Sequence, residues 1–210
     1  MGRVLPLVLL VSATAGAEEL QTDGAMDFRV GLAQRWDVLV HNRARVRATQ
    51  NDWYDVSLIP IFRYQWRPHV QLAAGAFFSW FEYPNNDWQR HVRPILAIEP
   101  SFARRHFDVT TRTQYERFMI TQRGDYNRYR QRFRLSTGRH WAPYGSVEVF
   151  FTNEGYATTR YGAGLRRNLG RRDAIEFGYW YETQKLCDYG IRHMFYTTFT
   201  INFQGFAPDL

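Results

Sequence analysis

The segment from residue 107 to residue 120 alternates between two kinds of side chain with a period of two. Phe107 and Tyr115 fall on one face of this segment, and Glu116 falls on the other. A helix would spread both kinds around its circumference, so this period predicts a β-strand. The pattern is strictest in residues 128–135, where arginine occupies every second position and Tyr, Phe and Leu stand among the residues between. Each such strand has one apolar and one charged face.

The same alternation predicts about ten strands along the chain. They lie near residues 36–48, 53–66, 69–82, 90–103, 107–119, 127–139, 143–152, 158–168, 173–184 and 191–203. Short connections, at 67–68, 104–106, 140–142 and 169–172, alternate with segments that are mostly longer and richer in Asn, Asp and Gly, at 49–52, 83–89, 120–126, 153–157 and 185–190. Short turns on one side and longer loops on the other are typical of an up-and-down transmembrane β-barrel, with the short side periplasmic. We therefore expect an all-β, antiparallel barrel over residues 36–203, with residues 18–35 as a lead or an extension of the first strand and 204–210 as a short tail.

The first 17 residues have the pattern of a signal peptide. Arg3 supplies a positive start, residues 4–11 are an apolar stretch, and Ala15 and Ala17 form a small-residue cleavage site. The sequence therefore predicts export and cleavage after Ala17.

The apolar face is predicted to contact lipid. The longest apolar run after the signal, 72–78, has seven residues, whereas a spanning helix needs roughly 20. Only a closed barrel would then satisfy every backbone group in a bilayer. Tryptophans near the strand ends predict two aromatic girdles, with Trp36, Trp66 and Trp141 on the short-turn side and Trp53, Trp80, Trp88 and Trp180 on the loop side. Glycines share the charged face and leave room for long side chains there: Gly75, Gly138, Gly162, Gly164 and Gly178.

Five ordered segments resemble a known family. They are His91 to Leu96, Arg128 to Arg134, Pro143-Tyr144 with Glu148 to Phe150, Arg160 to Leu165, and Phe177 to Glu182. Their order over residues 36–203 resembles domain of unknown function 2490, a family of exported bacterial proteins expected to form outer-membrane barrels. The resemblance implies fold and location, and it brings no established activity or catalytic residues. The expected surroundings are outer-membrane lipid and the barrel assembly machinery, with the protein as a monomer.

The charged face is predicted to line the lumen with arginines and carboxylates. The predicted network consists of Arg43, Arg45, Arg47, Arg63, Arg93, Glu99, Arg112, Glu116, Arg128, Arg130, Arg132, Arg134, Glu148, Arg160, Arg166, Glu176 and Glu182. Asp37, Asp55 and Asp108 share that face, so twelve arginines oppose eight carboxylates with an excess of four positive charges. One interpretation is an ion-pair lattice that fills a narrow barrel. The other is a narrow anion-favouring path, or a site for an acidic ligand, since positive rings attract anions.

Other functions receive weaker support from the sequence. The net charge of +7 would suit nucleic acid, but arginines that alternate with lipid-type residues on an exported chain argue against it. An outer-membrane hydrolase that uses rim residues remains an alternative, although no nucleophile-elbow motif is present and the histidines suit lumen packing and interface anchoring: His41, His69, His91, His106, His140 and His193. No metal-ligand spacing and no cofactor motif is found, and the lone Cys187 excludes a disulfide framework. A secreted soluble barrel that carries an apolar ligand is a further alternative.

Overall fold

Eleven β-strands make up the described part of the chain. The structure is a computed structural model, and it describes residues 18–47, 52–82, 88–120, 125–138, 140–169, 173–184 and 191–203. The strands are β1 (Glu18–Ala33), β2 (Trp36–Arg47), β3 (Asp52–Arg67), β4 (Val70–Glu82), β5 (Trp88–Arg104), β6 (Phe107–Ile120), β7 (Tyr126–Thr137), β8 (Trp141–Thr152), β9 (Gly155–Asn168), β10 (Ala174–Gln184) and β11 (Ile191–Phe203). The predicted signal peptide, the predicted tail at 204–210 and Cys187 lie outside the described residues.

The strands close into a single barrel in chain order, which confirms the prediction of an all-β barrel. Consecutive strands pair antiparallel throughout. Closure comes from β1 and β11, which pair in parallel from Glu18↔Ile191 to Val30↔Phe203. Over the described ranges, no helix is long and apolar enough to cross a membrane.

The first strand, β1, is the main difference from the sequence prediction. Residues 18–33 do not extend the strand that begins at Trp36; they form a separate strand that pairs with β2 through a turn at residues 34–35. Its alternation is weak, because Thr22 and Gly24 interrupt the outward apolar positions of this strand. The barrel therefore has eleven strands, and an odd number forces its first and last strands to run in the same direction.

The two ends of the barrel differ in their connections. We call the end with the connections at 34–35, 68–69, 105–106, 138–140 and 169–173 the turn end, and the opposite end the loop end. One loop-end connection is tighter than predicted, since only Asn153 and Glu154 separate β8 from β9. Gly155, which follows them, has a φ of 103°, a left-handed conformation that glycine adopts without steric cost.

The apolar face of the strands lies outside the barrel and the charged face lies inside. Thirty large hydrophobic residues are exposed among those described, and Leu96 is the most exposed of them at 57%. Buried polar residues occupy the inward face, with Glu116 at 1% and Asp55 at 3% exposure. Because side chains alternate across a strand, closing the sheet places most charged side chains inside and most large apolar ones outside.

Tryptophans mark both ends of the outer surface, with one correction. Trp36, Trp66 and Trp141 are exposed at the turn end, and Trp80 and Trp88 are exposed at the loop end. The side chain of Trp53 lies outside those described.

Trp180 was predicted for the loop-side girdle, but it points into the lumen. Trp180 lies two residues before Glu182 on β10, so both side chains point to the inward face of the strand. The ring of Trp180 lies 4.6 Å from that of Tyr196. The prediction was wrong because it considered only how close Trp180 lies to the strand end and ignored which face of the strand it occupies.

Glycines on the inward face of β9 and β10 make room for these rings. A Cβ atom at Gly178 would lie 2.5 Å from the hydroxyl oxygen of Tyr144, a separation that real Cβ atoms do not tolerate. The strands therefore carry a shallow recess in which Tyr144, Trp180 and Tyr196 pack.

Candidate functional site

The lumen contains one cavity of about 1630 Å³. Its lining reaches from Asn153 and Glu154 at the loop end to Ala103 and Gly138 at the turn end. Sixteen of the seventeen predicted network residues line it. The remaining one, Arg47, donates from Nη2 to the backbone carbonyl of Glu82 at 3.1 Å.

The charge of this cavity is closer to balance than the sequence predicted. Thirteen arginines and eleven carboxylates line it, an excess of two positive charges instead of four. Much of the difference comes from β1, which brings Asp23 and Asp27 to the lumen together with Arg29. These residues were not counted because β1 was not recognised as a strand.

Ion pairs in the loop-end half of the lumen form what we call the loop-end belt. Each strand contributes to it: Asp23, Arg43, Arg45, Asp55, Phe77, Arg93, Glu116, Arg128, Arg130, Glu148, Arg160, Glu182 and Arg192. Most of these contacts join neighbouring strands, so the belt ties the wall of the barrel together across its hydrogen-bonded ladders.

Glu116 on β6 is the most heavily shared carboxylate of the belt. It accepts from Nη2 of Arg128 at 2.6 Å and from Nη1 of Arg130 at 2.8 Å. Nη1 of Arg93 lies 3.6 Å away on the other side, and the amide of Gln114 donates at 2.6 Å. With its side chain only 2% exposed, Glu116 gains its stability from these donors.

The belt continues from β7 to β11 through two further glutamates. Arg130 donates to Glu148 from Nη2 at 2.7 Å, and Glu148 accepts from Arg160 at 3.3 Å. Arg160 also donates from Nε to Glu182 at 2.7 Å. Glu182 then lies 3.4 Å from Nη1 of Arg192 on β11.

The first strands complete the belt with a compact group of two acids and two bases. Arg43 donates to Asp55 at 2.8 Å, and Arg45 donates to Asp23 at 3.2 Å. On β4 the contribution is aromatic: the ring centre of Phe77 lies 3.4 Å from the guanidinium of Arg93 and 5.2 Å from that of Arg43. Cations over ring faces are stabilised without a counter-ion.

A second group of ion pairs lies in the turn-end half, and we call it the turn-end cluster. Its members are Arg29, Asp37, Arg63, Glu99, Arg112, Arg132, Arg134 and Glu176. Arg112 donates from Nε to Oε2 of Glu99 at 2.6 Å, and Nη2 of Arg132 reaches the same oxygen at 3.3 Å. Arg132 does so across the intervening strand β6.

One pair of the turn-end cluster reaches across two strands. Arg134 on β7 donates to both oxygens of Glu176 on β10, at 3.3 and 2.8 Å. On the way its guanidinium lies 3.7 Å from the ring centre of Tyr144. The hydroxyl of Tyr196 also donates to Glu176 at 3.1 Å. The glycine recess leaves the space that this long contact needs.

The histidines on strands take separate positions. His41 pairs with Asp27 on the lumen side, and His91 stacks on Phe81 with ring centres 5.7 Å apart. His193 faces the other way, where it hydrogen-bonds the hydroxyl of Tyr179. Within the described ranges, no three His, Cys, Asp or Glu side chains are grouped so that they could hold a metal ion.

Comparison with known proteins places the chain in a family without a known activity. No curated protein matches the sequence. The family model described as protein of unknown function, DUF2490, matches residues 24–188, which confirms the resemblance seen in the ordered segments. The match begins within β1 and covers most of the closed barrel, so the chain belongs to the DUF2490 family.

Proposed function

We propose that this protein is a bacterial outer-membrane barrel whose lumen is a narrow, anion-favouring passage. The observation that carries the proposal is the combination of an apolar outer surface with an arginine-rich cavity whose lining reaches both ends of the barrel. The predicted signal peptide supports export. A closed barrel also leaves no unpaired strand edge for association, which favours a monomer.

The outer surface supports a lipid environment. Soluble proteins rarely expose contiguous apolar patches of more than a few hundred Å², yet Phe62, Leu96 and Phe133 are each about half exposed on the outward face. All eleven strands have 11 residues or more, and a tilted strand needs about 9–11 residues to cross a bilayer. Insertion would require the barrel assembly machinery as a partner.

The lumen supports small solutes and a preference for anions. Barrels of about eight strands are filled by side chains, whereas open aqueous channels appear at about sixteen. The loop-end belt narrows the lumen further. Its excess of positive charge favours anions among the solutes small enough to enter.

The two alternative functions, a soluble carrier of apolar ligands and an outer-membrane hydrolase, would each need a site that the described side chains do not favour. A carrier of apolar ligands needs an apolar interior, but thirteen arginines and eleven carboxylates stand among the residues that line this lumen. A hydrolase could build on the pair formed by His41 and Asp27, and it would also need a nucleophile within hydrogen-bond reach of the imidazole.

The lipid-facing assignment is tested by a matched pair of variants on one strand. Phe133 is exposed on the outer face of β7, near the middle of the strand, and Arg132 lines the lumen. Phe133→Arg should impair membrane assembly, because arginine at mid-bilayer costs about 2–4 kcal/mol on a barrel exterior, whereas Arg132→Gln should insert. Release of the wild-type protein from spheroplasts without detergent would contradict the membrane location.

The passage is tested by recording from purified protein in a planar bilayer. We expect small steps whose reversal potential in a salt gradient shows anion preference, and a weaker preference in Arg132→Gln. The absence of conductance would identify the lumen as a filled, structural lattice. Large porin-like steps or cation preference would contradict the proposal.

A further inference from the structure

Arg112 and Arg132 are two lumen arginines that share a single carboxylate oxygen. They are register partners on β6 and β7, so two like charges stand directly opposite each other, which is destabilising without a counter-ion. Their shared acceptor is one carboxylate oxygen, Oε2 of Glu99. Two guanidinium groups carry about ten N–H donors, so one oxygen leaves most of them without an acceptor among the described residues.

Arg130, two residues before Arg132, shows what a satisfied lumen arginine looks like. It donates to Glu116 and to Glu148 through three of its nitrogens. Arg132 instead has a buried Nε without any acceptor among the described residues. Both arginines lie on the same face of the same strand, so they differ in the number of carboxylates within reach.

This pair is also partly exposed. The side chains of Arg112 and Glu99 are 32% and 25% exposed, and that of Arg132 is 24% exposed. All three line the cavity. An anion that enters from the turn end would therefore reach these donors without displacing the loop-end belt.

We propose that Arg112 and Arg132 form a binding site for a small soluble oxyanion, with a phosphate or carboxylate group bridging the two guanidinium forks. Guanidinium matches such groups through paired, charge-assisted hydrogen bonds. Glu99 is the internal competitor, since its carboxylate occupies the same donors. The site would be the selective point of the passage and in that respect rests on the proposed function. Its position inside the lumen favours a free anion over a lipid headgroup.

Inorganic phosphate is the probe, tested on the full chain purified in detergent. We expect phosphate to raise the melting temperature more than chloride does at equal ionic strength, because a ligand that binds only the folded state stabilises it. Arg132→Gln and Arg112→Gln should each weaken phosphate affinity about tenfold or more. Arg166→Gln is the charge-matched control, since Arg166 lines the lumen and hydrogen-bonds Asn168, and it should keep wild-type affinity.

Glu99→Gln separates a binding site from a structural ion pair. Removing the competing carboxylate should strengthen phosphate binding. Phosphate should therefore raise the melting temperature of this variant more than it raises that of the wild type. A loss of stability that phosphate does not restore would overturn the site. Equal loss of affinity in Arg132→Gln and Arg166→Gln would overturn it as well, because it would show a general charge effect.

The two proposals can fail separately. Phosphate binding that depends on Arg112 and Arg132 in a protein without conductance would retain the site and reject the passage. Anion-selective conductance that phosphate neither blocks nor alters, together with no effect on melting temperature, would retain the passage and reject the site.

Discussion

The loop-end belt and the turn-end cluster use the same charged residue types on several of the same strands, yet they differ in how tightly their carboxylates are enclosed. The belt carboxylates Glu116, Glu148 and Glu182 have side chains that are 2%, 7% and 6% exposed. In the cluster, Glu99 and Glu176 are 25% and 16% exposed. The belt is therefore a packed lattice, and the cluster remains accessible to water.

Aromatic side chains on the inward face account for this difference. The ring of Phe118 lies 4.6 Å from the guanidinium groups of both Arg93 and Arg128. Phe150, only 2% exposed, lies 4.9 Å from that of Arg160. These rings pack against the guanidinium groups and shield the belt carboxylates from solvent. Electrostatic interactions are stronger where water is excluded, and an unpaired charge costs more there.

The largest expected effect is the loss of a belt carboxylate. Glu116→Gln leaves the arginines around it without their shared counter-ion, and breaking a buried ion pair costs about 3–5 kcal/mol. Unfolding in denaturant of the refolded protein would measure this loss. If Glu116→Gln cost no more than the cluster variant Glu99→Gln, the two regions would not differ in the way described.

The glycine recess should be the next most sensitive feature. Gly178→Ala places a methyl group against Tyr196 and Tyr144, and overpacking of this kind costs about 1–3 kcal/mol. Gly24→Ala is the control, because a Cβ atom there meets nothing within 4 Å. Equal unfolding free energies for the two variants would show that the aromatic side chains can move aside.

A double-mutant cycle should detect direct coupling inside the belt. Glu116→Gln combined with Arg130→Gln should lose less stability than the sum of the single changes, with an interaction energy of about 0.5–3 kcal/mol. Glu116→Gln combined with Arg63→Gln should be additive, since Arg63 bonds Asp37 at the turn end. Comparable coupling in both cycles would mean that the belt and the cluster act as one network.

The smallest expected effect is the loss of the shared acid of the cluster. Glu99→Gln removes two contacts from a partly exposed site, where solvent screening holds an ion pair to about 1 kcal/mol or less. Thermal melting in chloride, without added phosphate, would measure this change. A loss of stability as large as that of Glu116→Gln would show that Glu99 is enclosed as tightly as the belt carboxylates.

The sequence by itself determined the local features of this protein. Alternation placed nearly every strand, and the predicted bounds of the last one, 191–203, coincide with those of β11. Parity put the arginines of β7 and Glu116 on one face, and pairing of neighbouring strands then brought them within hydrogen-bond distance. The alternation of side chains and the pairing of consecutive strands depend on residues that are neighbours along the chain, so both can be predicted from a single sequence.

Only the tertiary structure decided how the barrel closes and which charges meet across it. The weakly alternating β1 becomes a strand because it pairs on one side with β2 and on the other with β11. The contacts of Arg134 with Glu176 and of Arg132 with Glu99 skip over strands, and Trp180 lies inward over Gly162 of the neighbouring strand β9. Such contacts depend on the curvature of the closed sheet and on the space left by distant residues, which no local pattern of residues specifies.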